Sequence, residues 1–271
     1  MDLQKIMVDL KDVVDASGNS IMTIYSEADT EIAFKEDRSP LTLADRASND
    51  IINHGLEELI PDIPVISEEN REVSYAERKG WNKFWLVDPL DGTKEFIKKN
   101  GEFTVNIALI ENGVPILGVV SIPAQGKIYY GIKGGGAYRI DGEGADPVRI
   151  EAKRDPDRGV KPIAAVSRSH LSGNDTALLE ALGADTISSG SALKFALVAE
   201  GKADLYPRFG PTWEWDTGAG HAVAEAAGAV VCGLDGSPLG YNKQVLKHPN
   251  GFVCCLADVK DKVLRSIRGL G

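Results

Sequence analysis

The hydrophobic rhythm of this 271-residue chain changes once, near residue 155, and that change limits its possible folds more than any single motif does. Residues 3–25 carry Leu3, Ile6, Met7, Leu10, Val13, Val14, Ile21 and Ile24 at helical spacing, which predicts an amphipathic opening helix with an irregularity at Gly18. A second helix is expected from Thr42, where Thr42-Leu-Ala-Asp45 resembles a capping box with the shorter carboxylate, to about Leu59, before Pro61. Strand-like segments follow at 64–66, 84–87, 103–110 and 114–122, the last two joined by Glu111-Asn112-Gly113, and then at 128–132 and 137–140. This half reads as a helix pair on a mostly antiparallel sheet. Residues 151–161, charged and containing Pro156 and Gly159, mark a boundary, so two lobes are expected, 1–155 and 156–271. Beyond it, strands at 163–166, 204–206 and 229–232 and a short segment at Thr186 alternate with helices at 175–182, 191–200 and 216–227, the pattern of an α/β unit.

A content of 43% hydrophobic and 26% charged residues is that of an ordinary globular protein. No apolar run approaches the roughly 20 residues that span a bilayer. The first residues, with Asp2, Asp9 and Asp12, lack the basic and apolar regions of a signal peptide, so a cytoplasmic protein is expected; peripheral association with the inner membrane stays open. Cys232, Cys254 and Cys255 have neither metal-site spacing nor nearby His and read as buried strand residues. A formal net charge of −10 argues against nucleic acid as a partner, which needs a basic face. It permits an anionic small molecule if bound cations and a local basic patch overcome the repulsion, because charges more than about 10 Å apart are largely screened.

The stretch Trp85-Leu-Val-Asp88-Pro-Leu-Asp91-Gly-Thr93 offers the place for those cations. Its apolar lead-in reads as the end of a buried strand, Pro89 blocks a helix, and two carboxylates leave the sheet edge together. Oxygen-only ligands suit Mg²⁺, which keeps several waters and shares its remaining positions with substrate phosphate. Gly92 permits close backbone approach, Thr93 adds a hydroxyl, and the N–H groups that follow are able to receive an anion. A surface turn with solvated aspartates is the alternative. Further carboxylates join the candidates. Glu68 and Glu69 follow the strand-like 64–66, and on extended backbone only one of them would face the ions. Asp216 opens an Ala- and Gly-rich helix, where an N-cap is the other reading, and Asp45 could be a solvated first-turn residue.

Taken as a set, Asp88-Pro-Leu-Asp-Gly-Thr93, the upstream Glu-Glu pair and Trp215-Asp216-x-x-Ala219-Gly220 resemble the signature of the inositol monophosphatase-like, metal-dependent and lithium-sensitive phosphatases. Lys94-Glu-Phe-Ile97, Gly101-Glu-Phe-Thr-Val-Asn106, Ser167-Arg-Ser-His170, Gly190-Ser-Ala-Leu-Lys194 and Tyr206-Pro-Arg-Phe-Gly-Pro-Thr212 are most similar to the bacterial 3′(2′),5′-bisphosphate nucleotidase branch. Gly218 stands where that branch more often has Ala. The resemblance covers nearly the whole chain and implies a layered α/β/α/β/α sandwich with the site between two lobes. It further implies that Glu68, Asp88 and the carbonyl of Leu90 hold one Mg²⁺, that Asp88, Asp91 and Asp216 hold a second, and that Glu68 contributes to a third, weaker one. Asp45 and Thr93 would orient and deprotonate the attacking water.

A basic patch of Arg168, His170, Lys194 and Arg208 falls in the second lobe, although each alone could be a solvated or structural group. Ser191 and Lys194 are expected one turn apart at a helix start, away from the metals, and with His170 they resemble the branch's site for the non-scissile phosphate. The implied activity is Mg²⁺-dependent removal of the 3′-phosphate of adenosine 3′,5′-bisphosphate, in sulfur assimilation, with a small nucleotide as partner. The rival readings are the same chemistry on an inositol or other sugar phosphate, and a non-catalytic metal and nucleotide sensor on the same fold.

Overall fold

The computed structural model describes residues 1–27, 32–34, 40–70, 73–168 and 171–270, with backbone alone at 32–34, 40 and 41. Helix α1 (Leu3–Ser26) is capped by the Asp2 carboxylate and runs unbroken through Gly18. The hairpin β1 (Ile32–Phe34) and β2 (Pro40–Thr42) leads into α2 (Leu43–Leu59). Thr42 and Asp45 form the reciprocal capping box expected from their spacing. There follow β3 (Val65–Ser67), α3 (Tyr75–Arg78), β4 (Lys83–Asp91), α4 (Thr93–Ile97), β5 (Thr104–Glu111), β6 (Val114–Ile122), β7 (Lys127–Ile132), β8 (Gly136–Asp141) and β9 (Val148–Ile150). The later elements are β10 (Ile163–Ser167), α5 (Gly173–Leu182), β11 (Asp185–Ser189), α6 (Leu193–Ala199), β12 (Leu205–Arg208), β13 (Thr212–Trp213), α7 (Trp215–Ala226), β14 (Ala229–Cys232), β15 (Lys247–His248), β16 (Phe252–Leu256) and α8 (Lys260–Arg268).

Strands β3 to β9 form a seven-stranded sheet in chain order, antiparallel except for the parallel β3–β4 pair. A second, five-stranded sheet has the order β11-β10-β12-β16-β14, with β10, β11 and β12 mutually parallel. Three apolar cores glue five layers together. Leu10, Ile21, Ile52 and Leu56 pack α1 and α2 on one face of the large sheet. Leu86, Ala108, Phe195, Val223 and Phe252 fill the space between the two sheets around α6 and α7. Leu178, Leu182, Val253 and Leu264 seat α5 and α8 on the outer face of the small sheet. This is the α/β/α/β/α order, and the change from one sheet to the other falls between Ile150 and Ile163.

The middle layer fixes the position of α7 closely. Gly118 on β6 and Gly131 on β7 lie under it, and a Cβ at either would come within 2.4 Å of the Ala219 carbonyl oxygen or 2.6 Å of that of Ala222. Backbone therefore packs on backbone there, which is the use of both glycines and of the Ala-rich helix sequence. The start of α7, carrying Asp216, is held against the large sheet where β4 ends.

Candidate active site

Strand β4 continues through Pro89 to Asp91, whereas the sequence suggested that it ends before Asp88. Its pairing with β5 shifts register between Asp88 and Asp91, so the two carboxylates sit at an irregularity inside the strand. Pro89 is tolerated because the ladder is already interrupted there. Its carbonyl instead accepts the Ser48 hydroxyl at 2.6 Å, which ties α2 to the bend. Asp88 is 1% exposed and accepts the Leu90 N–H at 3.2 Å. The parallel strands β3 and β4 end at this bend, and β10, β11 and β12 of the other sheet bring their C-terminal ends, Ser167, Ser189 and Arg208, to the same cleft. The crevice beyond the carboxyl ends of parallel strands is the common ligand position in open α/β sheets.

The cleft is a cavity of about 360 Å³ lined by Glu68, Asp88, Leu90, Asp91, Gly92, Thr93, Lys194, Arg208 and Asp216, with Ser191, Ser167, Tyr206 and Trp213 among its other walls. Glu68 and Glu69 lie in a turn after β3 and not on extended backbone, so strand alternation does not decide between them; Glu68 lines the cavity. Asp216 is in the first turn of α7, and Glu214 occupies the N-cap position. The Asp216 carboxylate is oriented from outside the helix, by the Thr212 hydroxyl at 2.6 Å and the Trp213 N–H at 3.1 Å. Gly218, behind it, is packed so that an added Cβ would meet Leu86 Cδ2 at 3.0 Å.

Asp45 is buried, not solvated, and lies behind the cavity wall. One of its oxygens accepts the Thr42 N–H at 2.7 Å and hydroxyl at 2.6 Å, while the other accepts the Thr93 hydroxyl at 3.3 Å. Thr93 thus connects a buried carboxylate to the cavity.

The electrostatics of the cleft are those of crowded carboxylates. Burial, then the nearby Asp216 charge, pushes the Asp91 carboxyl up to about 7, with Glu68 adding to the effect and Lys194 opposing it. Burial likewise raises Asp216. Burial lowers the Lys194 ammonium to about 8, against the pull of Asp91. This donor set, all oxygen and short of counter-charge, fits hard divalent cations. Among the described residues no group of three or more His, Cys, Asp and Glu side chains forms an all-protein metal cage. An ion here would complete its shell with water and substrate oxygens, the usual habit of Mg²⁺.

The basic residues after the change of sheet are placed differently from their sequence reading. Helix α6 starts at Leu193, and Ser191 precedes it with a left-handed φ of 46°, so Ser191 and Lys194 do not share a helix face. They are not apart from the carboxylates either. The Ser191 hydroxyl lies 2.9 Å from the Asp91 carbonyl, and a Cβ on Gly92, whose φ is 91°, would fall 2.1 Å from that hydroxyl oxygen. Lys194 is buried, donates to the carbonyls of Ser191 at 2.5 Å and Ser189 at 3.3 Å, and rests over the Tyr206 ring. Arg168 is bound in a two-pronged ion pair to Glu102 at 3.0 and 2.6 Å. His170 lies outside the described residues.

Sequence reading missed several contributors. Thr104 and Asn106 reach toward Asp91 at 3.5 and 3.4 Å, a faint signal being two polar residues at alternate positions of an otherwise apolar strand. Glu102 accepts the Gly190 N–H at 2.9 Å as well as Arg168, and so ties the segment before β5 to the ends of β10 and β11.

Comparison with known proteins agrees with this geometry. The model of the inositol monophosphatase family matches residues 2–267. The chain is 50% identical over 227 residues to the 3′(2′),5′-bisphosphate nucleotidase CysQ of Salmonella typhimurium, covering 83% of this chain and 89% of that protein. Its Escherichia coli K12 counterpart is 48% identical over the same shares. The crystal structure of CysQ from Bacteroides thetaiotaomicron, described as a bacterial member of the inositol monophosphatase family, superposes with a TM-score of 0.80 at 42% identity, over 93% of this chain and 97% of that one. With a five-layer fold, a carboxylate cleft at the strand ends and a family match over almost its full length, the chain belongs to the inositol monophosphatase family.

Proposed function

We propose that this chain is a Mg²⁺-dependent 3′(2′),5′-bisphosphate nucleotidase that converts adenosine 3′,5′-bisphosphate to AMP and phosphate, the reaction sulfur assimilation requires to clear that by-product. The observation that carries the reading is one cavity lined by both carboxylates and cations. Glu68, Asp88, Asp91 and Asp216 line it together with Lys194 and Arg208, in a chain 50% identical over 227 residues to a CysQ nucleotidase. The family is metal-dependent, and the number of ions is part of this proposal.

Glu68, Asp88 and the Leu90 carbonyl would hold one Mg²⁺, Asp88, Asp91 and Asp216 a second, and Glu68 would contribute to a weaker third. Bound there, Mg²⁺ would polarise the attacking water and neutralise charge on the scissile phosphate and the departing oxygen. Phosphoryl transfer otherwise asks of the protein mainly positioning and charge complementarity. The backbone N–H groups at Gly92 and Thr93 would receive phosphate oxygens. Thr93 would accept the proton of the attacking water at Oγ1 while its own passes to Asp45, whose second oxygen is already committed to Thr42. Asp45 is thereby a base held in one orientation by its own helix cap. Lys194, Ser191 and Arg208 would steady the substrate.

Product identity tests the reading. Incubation of adenosine 3′,5′-bisphosphate with enzyme and Mg²⁺ should give adenosine 5′-phosphate and inorganic phosphate, resolved by chromatography. Formation of adenosine 3′-phosphate, or no turnover with Mg²⁺ bound, would reject it; the latter would favour the sensor.

A further inference from the structure

Two buried charges that the proposed mechanism leaves unused lie behind the start of α7. Arg78, at the end of α3, is 3% exposed, and Glu214, at the N-cap of α7, is fully buried. Neither lines the catalytic cavity. The Arg78 guanidinium directs both of its terminal nitrogens to one distant turn. Nη1 donates to the Asn242 side-chain oxygen at 2.7 Å and to the Lys243 carbonyl at 2.8 Å, and Nη2 donates to the Gln244 carbonyl at 3.0 Å. Asn242 returns a bond from Nδ2 to the Arg78 carbonyl at 2.8 Å. From the other side the Glu214 carboxylate accepts the N–H of Asn242 at 2.6 Å and that of Lys243 at 3.1 Å. The turn, with Asn242 at a left-handed φ of 69°, is thus held between a guanidinium and a carboxylate.

This turn carries the support of Asp216. It leads into β15, which among the described residues is the only strand paired with β13, with Thr212 opposite His248 and Trp213 opposite Lys247. The Thr212 hydroxyl and the Trp213 N–H are the groups that orient the Asp216 carboxylate, both on the same oxygen. Lys243 then locks the ribbon to the helix. A lysine only donates, so its contact with His248 Nδ1 at 2.8 Å makes that nitrogen the acceptor and leaves the Nε2–H for the Thr217 hydroxyl oxygen at 3.0 Å. Burial, then the Lys243 charge, lowers His248 to about 3, so the imidazole stays neutral. Thr217 in turn donates to the Glu214 carbonyl at 3.0 Å, on the helical turn that carries Asp216. A buried guanidinium set on carbonyl oxygens is a weak source of stability, because desolvation of the charge offsets much of the gain. What its planar fork adds is direction, with several acceptors held at fixed angles that a lysine ammonium does not match.

We propose that Arg78 is a positioning residue for the metal ligand Asp216, acting through the turn at Asn242 to Gln244, the Glu214 carboxylate and the β13–β15 ribbon. The inference rests on the reading of Asp216 as a Mg²⁺ ligand and deepens it. Arg78 lies on the connection between β3 and β4, so the segment that presents Glu68 to the cavity also fixes the carboxylate that α7 brings there.

The test is a double-mutant cycle read by calorimetric titration of the metal-free protein with Mg²⁺, with thermal melts in EDTA beside it. Asp216→Asn removes the ligand charge and should weaken Mg²⁺ binding on its own. Arg78→Lys keeps the positive charge but loses the fork, and should weaken Mg²⁺ binding by roughly ten- to a hundredfold, the usual effect of removing a group that orients a metal ligand. In the Asp216→Asn background, where the ion on Glu68 and Asp88 is still read, the same change should have little further effect on affinity, because the carboxylate it orients is gone. Glu214→Gln leaves one acceptor where the turn needs two, so it should behave alike, and it serves if the Arg78 variant does not fold. A merely structural Arg78 would lower Tm in EDTA in both backgrounds and leave Mg²⁺ affinity where it was. That result, or equal losses of affinity with and without the Asp216 carboxylate, would overturn the positioning role while the assignment of Asp216 stands. Unchanged Mg²⁺ binding in Asp216→Asn alone would overturn the assignment of Asp216, and the inference with it.

Discussion

Asp91→Asn should make the metal-free protein more stable at pH 8 and abolish its Mg²⁺-dependent activity. The Asp91 carboxyl lies at about 7 in place of its ordinary 3.8, because burial and the neighbouring Asp216 and Glu68 charges oppose ionisation. The sign follows from proton linkage. Between the unfolded and folded values the native state binds the extra proton, so wild-type stability without metal falls as pH rises from about 4 through about 7. At 1.36 kcal/mol per pH unit the full effect is roughly 4 kcal/mol. The carboxylate faces a water-accessible cavity, and Lys194 loses a counter-charge in the variant, so a net gain of about 1–3 kcal/mol is expected. For a chain of this size that raises Tm by roughly 3–10 °C at pH 8, with the gain shrinking toward pH 5, where Asp91 is protonated. Mg²⁺ should then reverse the order, stabilising wild type through RT ln(1 + [L]/Kd) and the variant hardly at all. Thermal melts at pH 5 and 8, with EDTA or with Mg²⁺, read all four states. A variant less stable than wild type at pH 8 without metal, or one that Mg²⁺ still stabilises as much, would refute the crowded-carboxylate reasoning.

Three further outcomes are expected. Thr93→Val removes the hydroxyl that links Asp45 to the cavity without touching the α2 cap, so kcat should fall by about a hundredfold or more while the Mg²⁺-induced rise in Tm persists; a normal kcat would remove Thr93 from the proton path. Gly92→Ala puts a Cβ 2.1 Å from the Ser191 hydroxyl oxygen at a φ of 91°, so a loss of roughly 1–3 kcal/mol in chemical denaturation is expected together with loss of activity, and an unperturbed variant would show that Gly92 and Ser191 do not meet there. Li⁺ should inhibit at constant ionic strength more strongly than Na⁺, since it resembles Mg²⁺ in size with half the charge; equal inhibition by the two would mean screening alone.

The parts of this fold legible in the sequence are those written in local chemistry. The Thr42–Asp45 cap, the apolar stripe of α1 and the Asn112-Gly113 turn each depend on neighbours in the chain. The carboxylates of the cleft were named from their motifs, and Glu68, Asp88, Asp91 and Asp216 line one cavity. What the sequence hid depends on partners far along the chain. Strand β4 passes Pro89 because β5 shifts its register opposite it, and the end of the apolar run gave no hint of that. Lys194 looks like a surface charge on a short helix, yet Tyr206 covers it and distant carboxylates offset its burial. Arg168 reads as a free cation until Glu102, 66 residues away, is brought to it by the fold.

The central claim, that a cavity lined by both carboxylates and cations hydrolyses a nucleotide carrying a second phosphate, is most directly tested by kcat/KM for adenosine 3′,5′-bisphosphate against inositol 1-phosphate, measured as Mg²⁺-dependent phosphate release at one pH and ionic strength. The account predicts a preference for the nucleotide of at least about a hundredfold, the sum of one charge-assisted contact to its second phosphate and the base contacts. Equal efficiency on the two, or a preference for inositol 1-phosphate, would contradict it.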